Sequence, residues 1–328
     1  MMGPKTTARE VISSFGATLP QQTALVTGAN SGIGLELCKE LVSAGCRVIA
    51  LVRDEDKGGK AIRDAMSSEG IATKDLLDVR TCRLDSLGSV ENCGASVVAD
   101  YEKEGLDYVV YNAGIMATPS LEFTEDGFEK QIGTNHFGHA YLNSFLYEIL
   151  RKQKRKSRVV TLSSTAHGFG EIKLENLNYG KGRMYTPWGA YGQSKLANLL
   201  FAKGFSNQLE KDGLADRITS LSVHPGVIRT NLWRSTPIRF LGPLVDIIGF
   251  MDKTIAQGAS TSAWAMLSPR IDSEAPSFQG AYLSDCASAK PMNRQANDEK
   301  LCDDFWQVTE EQLRAARQKI HEKEEKEE

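Results

Sequence analysis

A tyrosine and a lysine stand four residues apart in the segment Tyr191-Gly192-Gln193-Ser194-Lys195. This spacing places both side chains on one face of a helix. A phenol titrates near pH ~10, and a cation about 4–5 Å away stabilises its anion by roughly 3–4 kcal/mol, or about two to three pKa units. The pair therefore predicts a tyrosine that transfers protons near neutral pH with help from Lys195. A surface Tyr–Lys pair without function has the same spacing and is the alternative.

Other polar residues follow strand-like segments upstream of this pair. The apolar run 159–162 ends in Ser163 and Ser164. A hydroxyl at that position can hydrogen-bond a substrate carbonyl and stabilise developing charge, although serines more often cap helices and turns. The turn Asn112-Ala113-Gly114 closes another strand with small residues that a ribose could approach. A further candidate, Asn135, lies in a helical stretch, where asparagine has poor propensity and is usually solvated.

The elements that would position these residues begin with a glycine-rich turn. A short, apolar, partly β-branched segment, Thr23–Thr27, precedes it, and apolar residues at helical spacing follow it from Leu35. The turn has the sequence Thr27-Gly28-Ala29-Asn30-Ser31-Gly32-Ile33-Gly34. Glycines permit close backbone approach, and the free N–H groups at a helix N-terminus attract a pyrophosphate. The turn therefore predicts a dinucleotide site, with an ordinary strand–helix turn as the alternative.

Strand-like and helix-like segments alternate along the chain, which predicts an α/β fold with one parallel sheet covered by helices on both faces. The seven predicted strands are Thr23–Thr27, Arg47–Val52, Arg80–Leu84, Tyr108–Tyr111, Arg158–Ser163, Thr219–Val223 and Ala281–Leu283. The predicted helices lie near Ile33–Ala44, Lys57–Ser67, Leu87–Glu104, Gly127–Arg151, Tyr191–Glu210 and Ile255–Leu267. Loops after the strand C-termini surround the ligand in such sheets, so Phe169–Trp188 and Arg229–Lys253 are candidate substrate walls.

The composition is that of an ordinary globular protein. Its 328 residues are 41% hydrophobic and 25% charged, and the net charge of −3 gives no reason to expect nucleic acid. No apolar run is long enough for a transmembrane helix, and the N-terminal residues lack the apolar core of a signal peptide. The six scattered cysteines suit buried positions in a reducing compartment. We therefore expect an intracellular protein that is not secreted, either cytoplasmic or associated with an organelle or membrane.

Together these residues resemble the short-chain dehydrogenase/reductase family, from about Thr7 to Leu283. The motifs that carry the resemblance occur in family order: Thr27-Gly28-x-x-x-Gly32-Ile33-Gly34, Asn112-Ala113-Gly114, Asn135, Ser164, Tyr191-x-x-x-Lys195 and Pro225-Gly226-x-x-x-Thr230. The resemblance implies a single doubly wound Rossmann domain, with a mostly parallel seven-stranded sheet in the order 3-2-1-4-5-6-7 and a substrate lid. It divides the chain into an N-terminal extension (1–22), the main domain (23–300, lid near 229–253) and a C-terminal helix with a charged tail (301–328).

The resemblance also implies roles for single residues. Tyr191 would be the acid/base, Ser164 would polarise the carbonyl, Lys195 would lower the Tyr191 pKa and hold the nicotinamide ribose, and Asn135 would support a proton-relay water. The cofactor-binding residues it implies are Gly28, Asn30, Ser31, Gly32, Ile33, Gly34, Arg53, Asp85, Asn112, Ala113, Gly114, Tyr191, Lys195, Pro225, Gly226, Ile228 and Thr230. No metal is implied, and the four histidines near the site (His136, His139, His167 and His224) lack metal-ligand spacing.

Within the family the sequence is most similar to the retinol dehydrogenase and WW-domain oxidoreductase group, which is related to protochlorophyllide reductases. The similarity lies in the segments 6–11, 27–36, 135–139 and 194–198. The step from Ser164 to Tyr191 is also longer than is common elsewhere in the family, as it is in that group.

The residues after the second strand bear on the choice of cofactor. NAD enzymes place a carboxylate on the ribose 2′-OH, but the corresponding residue here is the neutral Val52. Arg53 follows, and its guanidinium can hold a phosphate through two hydrogen bonds. We expect the next residue, Asp54, to point away. The pattern favours NADP(H) over NAD(H).

These observations predict an NADP(H)-dependent oxidoreductase that interconverts an aldehyde or ketone and an alcohol. The apolar residues of the predicted lid suggest an apolar substrate such as a retinoid, steroid or lipid. The same residues would equally suit the buried face of an amphipathic core helix. They are Phe240, Leu241, Leu244, Ile247, Ile248, Phe250 and Met251. Peripheral membrane contact through the same segment is a further hypothesis, and the oligomeric state is undetermined. Two alternatives are a reductase of a conjugated pigment and a non-catalytic NADP-binding regulator.

Overall fold

The computed structural model describes residues 2–228 and 252–327. Its strands are β1 (Thr23–Thr27), β2 (Arg47–Val52), β3 (Leu77–Thr81), β4 (Tyr108–Tyr111), β5 (Ser157–Leu162), β6 (Ile218–His224), β7 (Val227–Ile228), β8 (Asp252–Lys253), β9 (Tyr282–Ser284) and β10 (Ala287–Ser288). Within the described residues, eight strands form one sheet in the order β10-β9-β6-β5-β4-β1-β2-β3, and β7 pairs with β8.

The sheet has the predicted doubly wound order and one strand more than predicted. Seven strands run parallel in the order that the resemblance implied, with β9 as the seventh. The additional strand, β10, pairs antiparallel with β9 at the edge. It is only two residues long, too short for an alternation of apolar and polar residues to reveal it in the sequence.

Helices cover both faces of this sheet. They are α1 (Ala8–Phe15), α2 (Gly32–Ser43), α3 (Glu55–Ser68), α4 (Leu87–Tyr101), α5 (Lys130–Ile132), α6 (Gly138–Lys152), α7 (Pro187–Lys211), α8 (Ile255–Gly258), α9 (Ser260–Leu267), α10 (Pro269–Ser273), α11 (Ala275–Phe278) and α12 (Glu299–Glu327). The N-terminal α1 packs on α2 and α9, and the C-terminal α12 packs on α7. Both terminal helices therefore contact the helical layers of the main domain.

Among the predicted elements that differ from those observed, two bear on the pocket described below. The helix predicted over Gly127–Arg151 contains a π-helical stretch, Gly133–Phe137, between α5 and α6. The third strand begins and ends three residues earlier than predicted, because Cys82 and Leu84 are buried in the loop beyond β3 rather than in the strand. Both residues thereby reach the edge of the sheet where the strands end.

The two hydrophobic cores follow from the alternation of side chains along buried strands. Leu25 and Val109 face the core beneath α4, α6 and α7, while their neighbours Val26 and Val110 face the core beneath α2 and α9. All six cysteines are buried and free of disulfides, as the sequence predicted. Across the described residues, we find no helix with the length and apolar character needed to span a membrane.

Candidate active site

A pocket opens at the carboxyl ends of the central parallel strands. Most of the predicted site residues line it, namely Gly28, Asn30, Ser31, Gly32, Ile33, Arg53, Asp85, Asn112, Ala113, Gly114, Tyr191, Lys195 and Pro225. Other lining residues carry no motif in the sequence, and these are Cys82, Leu84, Ile115, Lys130 and Thr134. The topology thus brings together residues that are far apart in the chain, because parallel strands end at one edge.

The backbone of the glycine turn packs closely against the turn that follows β4. Gly28 has a φ of +65°, and a Cβ there would lie 2.9 Å from the Cα of Ala113. Gly34 does not line the pocket; a Cβ on it would lie 2.4 Å from both the Gly28 carbonyl oxygen and Asn112 Nδ2. The N-terminus of α2, at Gly32, lies at this pocket, so its free N–H groups and dipole favour an anion there.

Thr27 joins this turn to the turn after β4. Its Oγ1 accepts hydrogen bonds from the backbone N–H groups of Asn112 and Ala113, both at 2.9 Å. The Asn112 side chain donates to the Thr27 carbonyl oxygen at 2.8 Å. Thr27 is not among the predicted site residues, although it stands directly before the first glycine of the turn.

The predicted acid/base group forms at the start of α7. Thr186 caps this helix by accepting a hydrogen bond from the Gly189 N–H at 3.1 Å. The Ser164 side chain lies close enough to the Tyr191 phenol to lower the phenol's pKa, although Ser164 is not among the pocket-lining residues. Lys195 Nζ lies 5.7 Å from the centroid of the Tyr191 ring. A hydroxyl, a phenol and an ammonium group therefore meet at the pocket.

The electrostatics of this group differ from the expectation in one respect. Burial raises the pKa of Tyr191 to about 12, and only the Ser164 hydrogen bond opposes it. Lys195 does not lower the Tyr191 pKa in this structure, contrary to the expectation, and its Nζ donates to the Leu162 carbonyl oxygen at 3.1 Å. Burial also lowers the pKa of Lys195 to about 8, which leaves the amine mostly charged at neutral pH.

Asn135 lies in the π-helical stretch, behind the pocket lining. Its Oδ1 accepts a hydrogen bond from Ile115 N at 2.8 Å, and its Nδ2 donates to Ile115 O at 2.9 Å and to Ser194 Oγ at 2.8 Å. A Cβ on Gly114 would lie 3.2 Å from Asn135 Oδ1 and 3.3 Å from Lys195 Nζ, so this glycine lets both groups approach. π-Helical turns are frequent at functional sites.

His167 holds the backbone of the Ser164 loop. Its Nδ1 lies 2.5 Å from the Ser164 carbonyl oxygen, and its Nε2 accepts a hydrogen bond from Met292 N at 3.0 Å. The Asn293 side chain donates to the carbonyl oxygens of His167 at 2.8 Å and Gly170 at 2.7 Å. These contacts bridge more than a hundred residues of sequence, and no local motif indicates them.

Val52, Arg53 and Asp85 also line the pocket. Arg53 is exposed and forms no ion pair with another described residue. Asp54 points away as expected: its carboxylate caps α3 by accepting from the Lys57 N–H at 3.0 Å. Asp85 Oδ1 is buried and accepts no hydrogen bond from a described residue, but it lies 3.6 Å from Arg83 Nε in an ion pair.

The remaining predicted residues lie at or beyond the end of β6. Gly226 has a φ of +93° and packs against the Lys253 side chain, where a Cβ would lie 2.5 Å from Cδ. Ile228 is buried in β7 and does not line the pocket. Thr230 and the apolar residues of the predicted lid lie outside the described residues. Within the described ranges, no group of three His, Cys, Asp or Glu residues is arranged to hold a metal ion.

Comparison with known proteins identifies the family to which the chain is similar. A sequence profile described as short chain dehydrogenase matches residues 22–238. Retinol dehydrogenase 11 of Mus musculus is 36% identical over 306 residues, covering 92% of this chain and 90% of the relative. Short-chain dehydrogenase TIC 32 B, chloroplastic, of Brassica napus is 34% identical over 309 residues, covering 93% of this chain and 92% of the relative.

Solved structures show the same fold. That of an uncharacterized protein from Mycobacterium Paratuberculosis has a TM-score of 0.70 and 31% identity, covering 94% of this chain and 98% of the other. NADPH-bound carbonyl reductase from chicken fatty liver has a TM-score of 0.58 and 21% identity, covering 80% of this chain and 96% of the other. The sheet and its glycine turn define a Rossmann-type oxidoreductase fold. The chain belongs to the short-chain dehydrogenase family and is close to the retinol dehydrogenases.

Proposed function

We propose that the protein is an NADP(H)-dependent oxidoreductase that interconverts an aldehyde or ketone and an alcohol on an apolar substrate. One observation carries this proposal: the Tyr191 phenol and the Lys195 amine line the same pocket as the glycine turn, with the Ser164 hydroxyl beside the phenol. A protein that only bound a dinucleotide would need the glycine turn but no acid/base group.

The residues present fit a dinucleotide. The N-terminus of α2 and the left-handed Gly28 form a cradle for a pyrophosphate. Asp85 Oδ1 accepts no hydrogen bond from a described residue, so it can accept one from an adenine amino group beside its ion pair with Arg83. Lys195 and the Asn112–Gly114 turn would hold the nicotinamide ribose. When bound, NADPH supplies the hydride, and its oxidised ring carries a positive charge.

The protein's own groups supply the proton and the polarisation. Ser164 would donate to the carbonyl oxygen and stabilise the charge that develops there. Tyr191 would transfer its proton to the same oxygen, in reach of Ser164. The Lys195 ammonium would stabilise the tyrosinate that remains, and Asn135 Nδ2 donates to the Ser194 hydroxyl, one residue before Lys195. The raised Tyr191 pKa keeps the phenol protonated at neutral pH, which suits a proton donor in the direction of carbonyl reduction.

An apolar surface next to the phenol supports an apolar substrate. Met116, Ala117 and Ala166 form a small hydrophobic cluster with the Tyr191 ring, and Trp188 packs against it. The Trp188 and Tyr191 ring centroids are 6.1 Å apart. The names of the retinol dehydrogenase relatives point to the same substrate class. A retinoid, steroid or other lipid carbonyl is therefore the proposed substrate.

The function is tested by NADPH oxidation with aldehydes and ketones of increasing chain length. Each buried methylene contributes about 0.8 kcal/mol, so kcat/KM should rise severalfold per methylene until the apolar surface is covered. Reduction of a conjugated C=C bond without carbonyl turnover would instead favour a pigment reductase. NADPH binding without oxidation of NADPH by any substrate would favour a regulator.

The cofactor preference is tested at Arg53. The Arg53→Ala variant should raise the KM for NADPH about tenfold or more, since a charge-assisted hydrogen bond to the 2′-phosphate contributes roughly 1.5–3 kcal/mol. The KM for NADH should change little, because NADH has no such phosphate. Steady-state kinetics with both cofactors measure the difference.

Arg63→Ala is the matched control, since Arg63 is an exposed arginine on α3 that does not line the pocket. It should leave both KM values near those of the unmodified enzyme. Equal losses with NADPH and NADH in Arg53→Ala would mean that Arg53 acts on the loop and not on the phosphate.

A further inference from the structure

The Thr27 hydroxyl has a complete set of hydrogen-bond partners. Its oxygen accepts from the backbone N–H groups of Asn112 and Ala113, both at 2.9 Å, and lies 2.9 Å from His139 Nε2. A hydroxyl has one hydrogen and two acceptor positions. Because both acceptor positions are taken by backbone N–H groups, the hydroxyl hydrogen is directed to His139 Nε2.

The state of the His139 ring follows from this bond. Nε2 accepts the Thr27 hydrogen, so it carries no proton of its own. The other ring nitrogen, Nδ1, lies 2.9 Å from the backbone carbonyl oxygen of Asn135. A carbonyl oxygen only accepts, so Nδ1 carries the proton and donates it there. The imidazole is thus a neutral Nδ1–H tautomer with both nitrogens engaged.

The surroundings favour the neutral ring. His139 is 1% exposed, and its ring centroid lies 5.1 Å from that of Tyr111. Burial and the charge of Lys195 lower the pKa of His139 to about 4, although the bond to the Asn135 carbonyl opposes this. Other groups around it are uncharged at neutral pH: the Thr27 hydroxyl, the Tyr111 phenol and the Asn135 backbone. The ring therefore stays neutral under ordinary conditions.

We propose that His139 is a positioning residue that couples the two halves of the site, tying the Asn135 backbone on the proton-transfer side to Thr27 and the Asn112–Ala113 turn on the cofactor side. Asn135 is then held twice, through its side chain by Ile115 and Ser194 and through its carbonyl oxygen by His139. This role rests on the proposed function. The position of Asn135 then depends on β1, the strand that leads into the glycine turn.

Two substitutions each remove one of the two hydrogen bonds of the His139 ring. An asparagine amide occupies nearly the position of the histidine Nδ1, and a glutamine amide nearly that of Nε2. His139→Asn should keep kcat at saturating NADPH but raise the Kd for NADPH about tenfold, since the Thr27 bond is lost. His139→Gln should keep the NADPH Kd but lower kcat about tenfold, since the bond to the Asn135 carbonyl is lost.

His136→Asn is the matched control, because His136 is a second buried histidine, three residues earlier in the adjoining π-helical stretch. Its Nε2 contacts Thr309 Oγ1 at 3.0 Å, away from the site. It should change neither kcat nor the NADPH Kd, even if thermal stability falls. Parallel loss of kcat and NADPH affinity in both His139 variants would overturn the separation of roles and leave only a packing function.

A spectroscopic measurement on the unmodified protein keeps the inference testable if the variants fail to fold. The chain has five histidines, and ¹⁵N-labelled imidazoles distinguish protonated from unprotonated ring nitrogens. His139 should show an Nδ1–H tautomer that persists as the pH falls through the usual histidine range. An Nε2–H tautomer, or titration near the ordinary histidine pKa, would overturn the proposal. Neither this readout nor the NADPH Kd requires turnover, so a failure of the proposed activity would be recognised separately.

Discussion

Replacing Tyr191 by phenylalanine should reduce turnover about 100- to 10,000-fold and leave NADPH binding nearly unchanged. The substitution removes the hydroxyl that Ser164 contacts, while the ring keeps its packing against Met116, Ala166 and Trp188. Single-turnover NADPH oxidation and a fluorescence titration of NADPH measure the two quantities.

Tyr108→Phe is the matched control for this loss. Tyr108 is also buried, but its hydroxyl hydrogen-bonds the Gln22 side chain at 3.0 Å and does not line the pocket. Removing it should leave turnover intact and cost only a small amount of stability. Near-normal turnover in Tyr191→Phe would show that another group donates the proton.

Replacing Gly34 by alanine should lower NADPH affinity by about 100-fold or more. The new Cβ would lie 2.4 Å from the Gly28 carbonyl oxygen, a backbone atom that can move only with the whole turn. Overpacking of this kind costs roughly 1–3 kcal/mol of folding stability, and the displaced turn no longer fits a pyrophosphate. Urea unfolding and NADPH titration measure both effects.

Gly88→Ala serves as the comparison for Gly34→Ala. Gly88 is also in a helix, at the start of α4, and a Cβ there meets no atom within 4 Å. That variant should be neutral or more stable by about 0.5–1 kcal/mol, because alanine is the better helix former. Undiminished NADPH binding in Gly34→Ala would mean that the turn tolerates displacement and that the cradle lies elsewhere.

The elements were predictable where burial and local sequence agree. The bounds of β1, β2 and β4 match the predicted ones, because each is an apolar run closed by polar or glycine residues. The third strand lies three residues earlier than predicted. Cys82 and Leu84 are buried because they line the pocket, and they lie beyond the strand. The π-helical turn was also missed, since its shift in hydrogen-bond register depends on tertiary contacts of Asn135.

The sequence predicted which segments meet at the candidate site, but it did not predict the directions of their side chains. Parallel strands end at one edge, so the motifs after β1, β4 and β5 had to converge. The sequence did not predict the direction of the Lys195 amine, because it depends on how the side chain packs against the Leu162 carbonyl. It also did not predict the raised Tyr191 pKa, because that depends on the burial of the phenol. The pairing of Thr27 with His139 likewise joins residues 112 positions apart.

The contacts of His167 and Asn293 determine which parts of the chain hold the Ser164 loop. The loop that carries Ser164 is built from residues near 164–170, but its hydrogen bonds are completed by residues near 292–293. A substitution of Asn293 would leave the His167 and Gly170 carbonyls without their amide donor. The two segments therefore form one structural unit, and a change at Asn293 is expected to disturb the Ser164 loop although more than a hundred residues separate them.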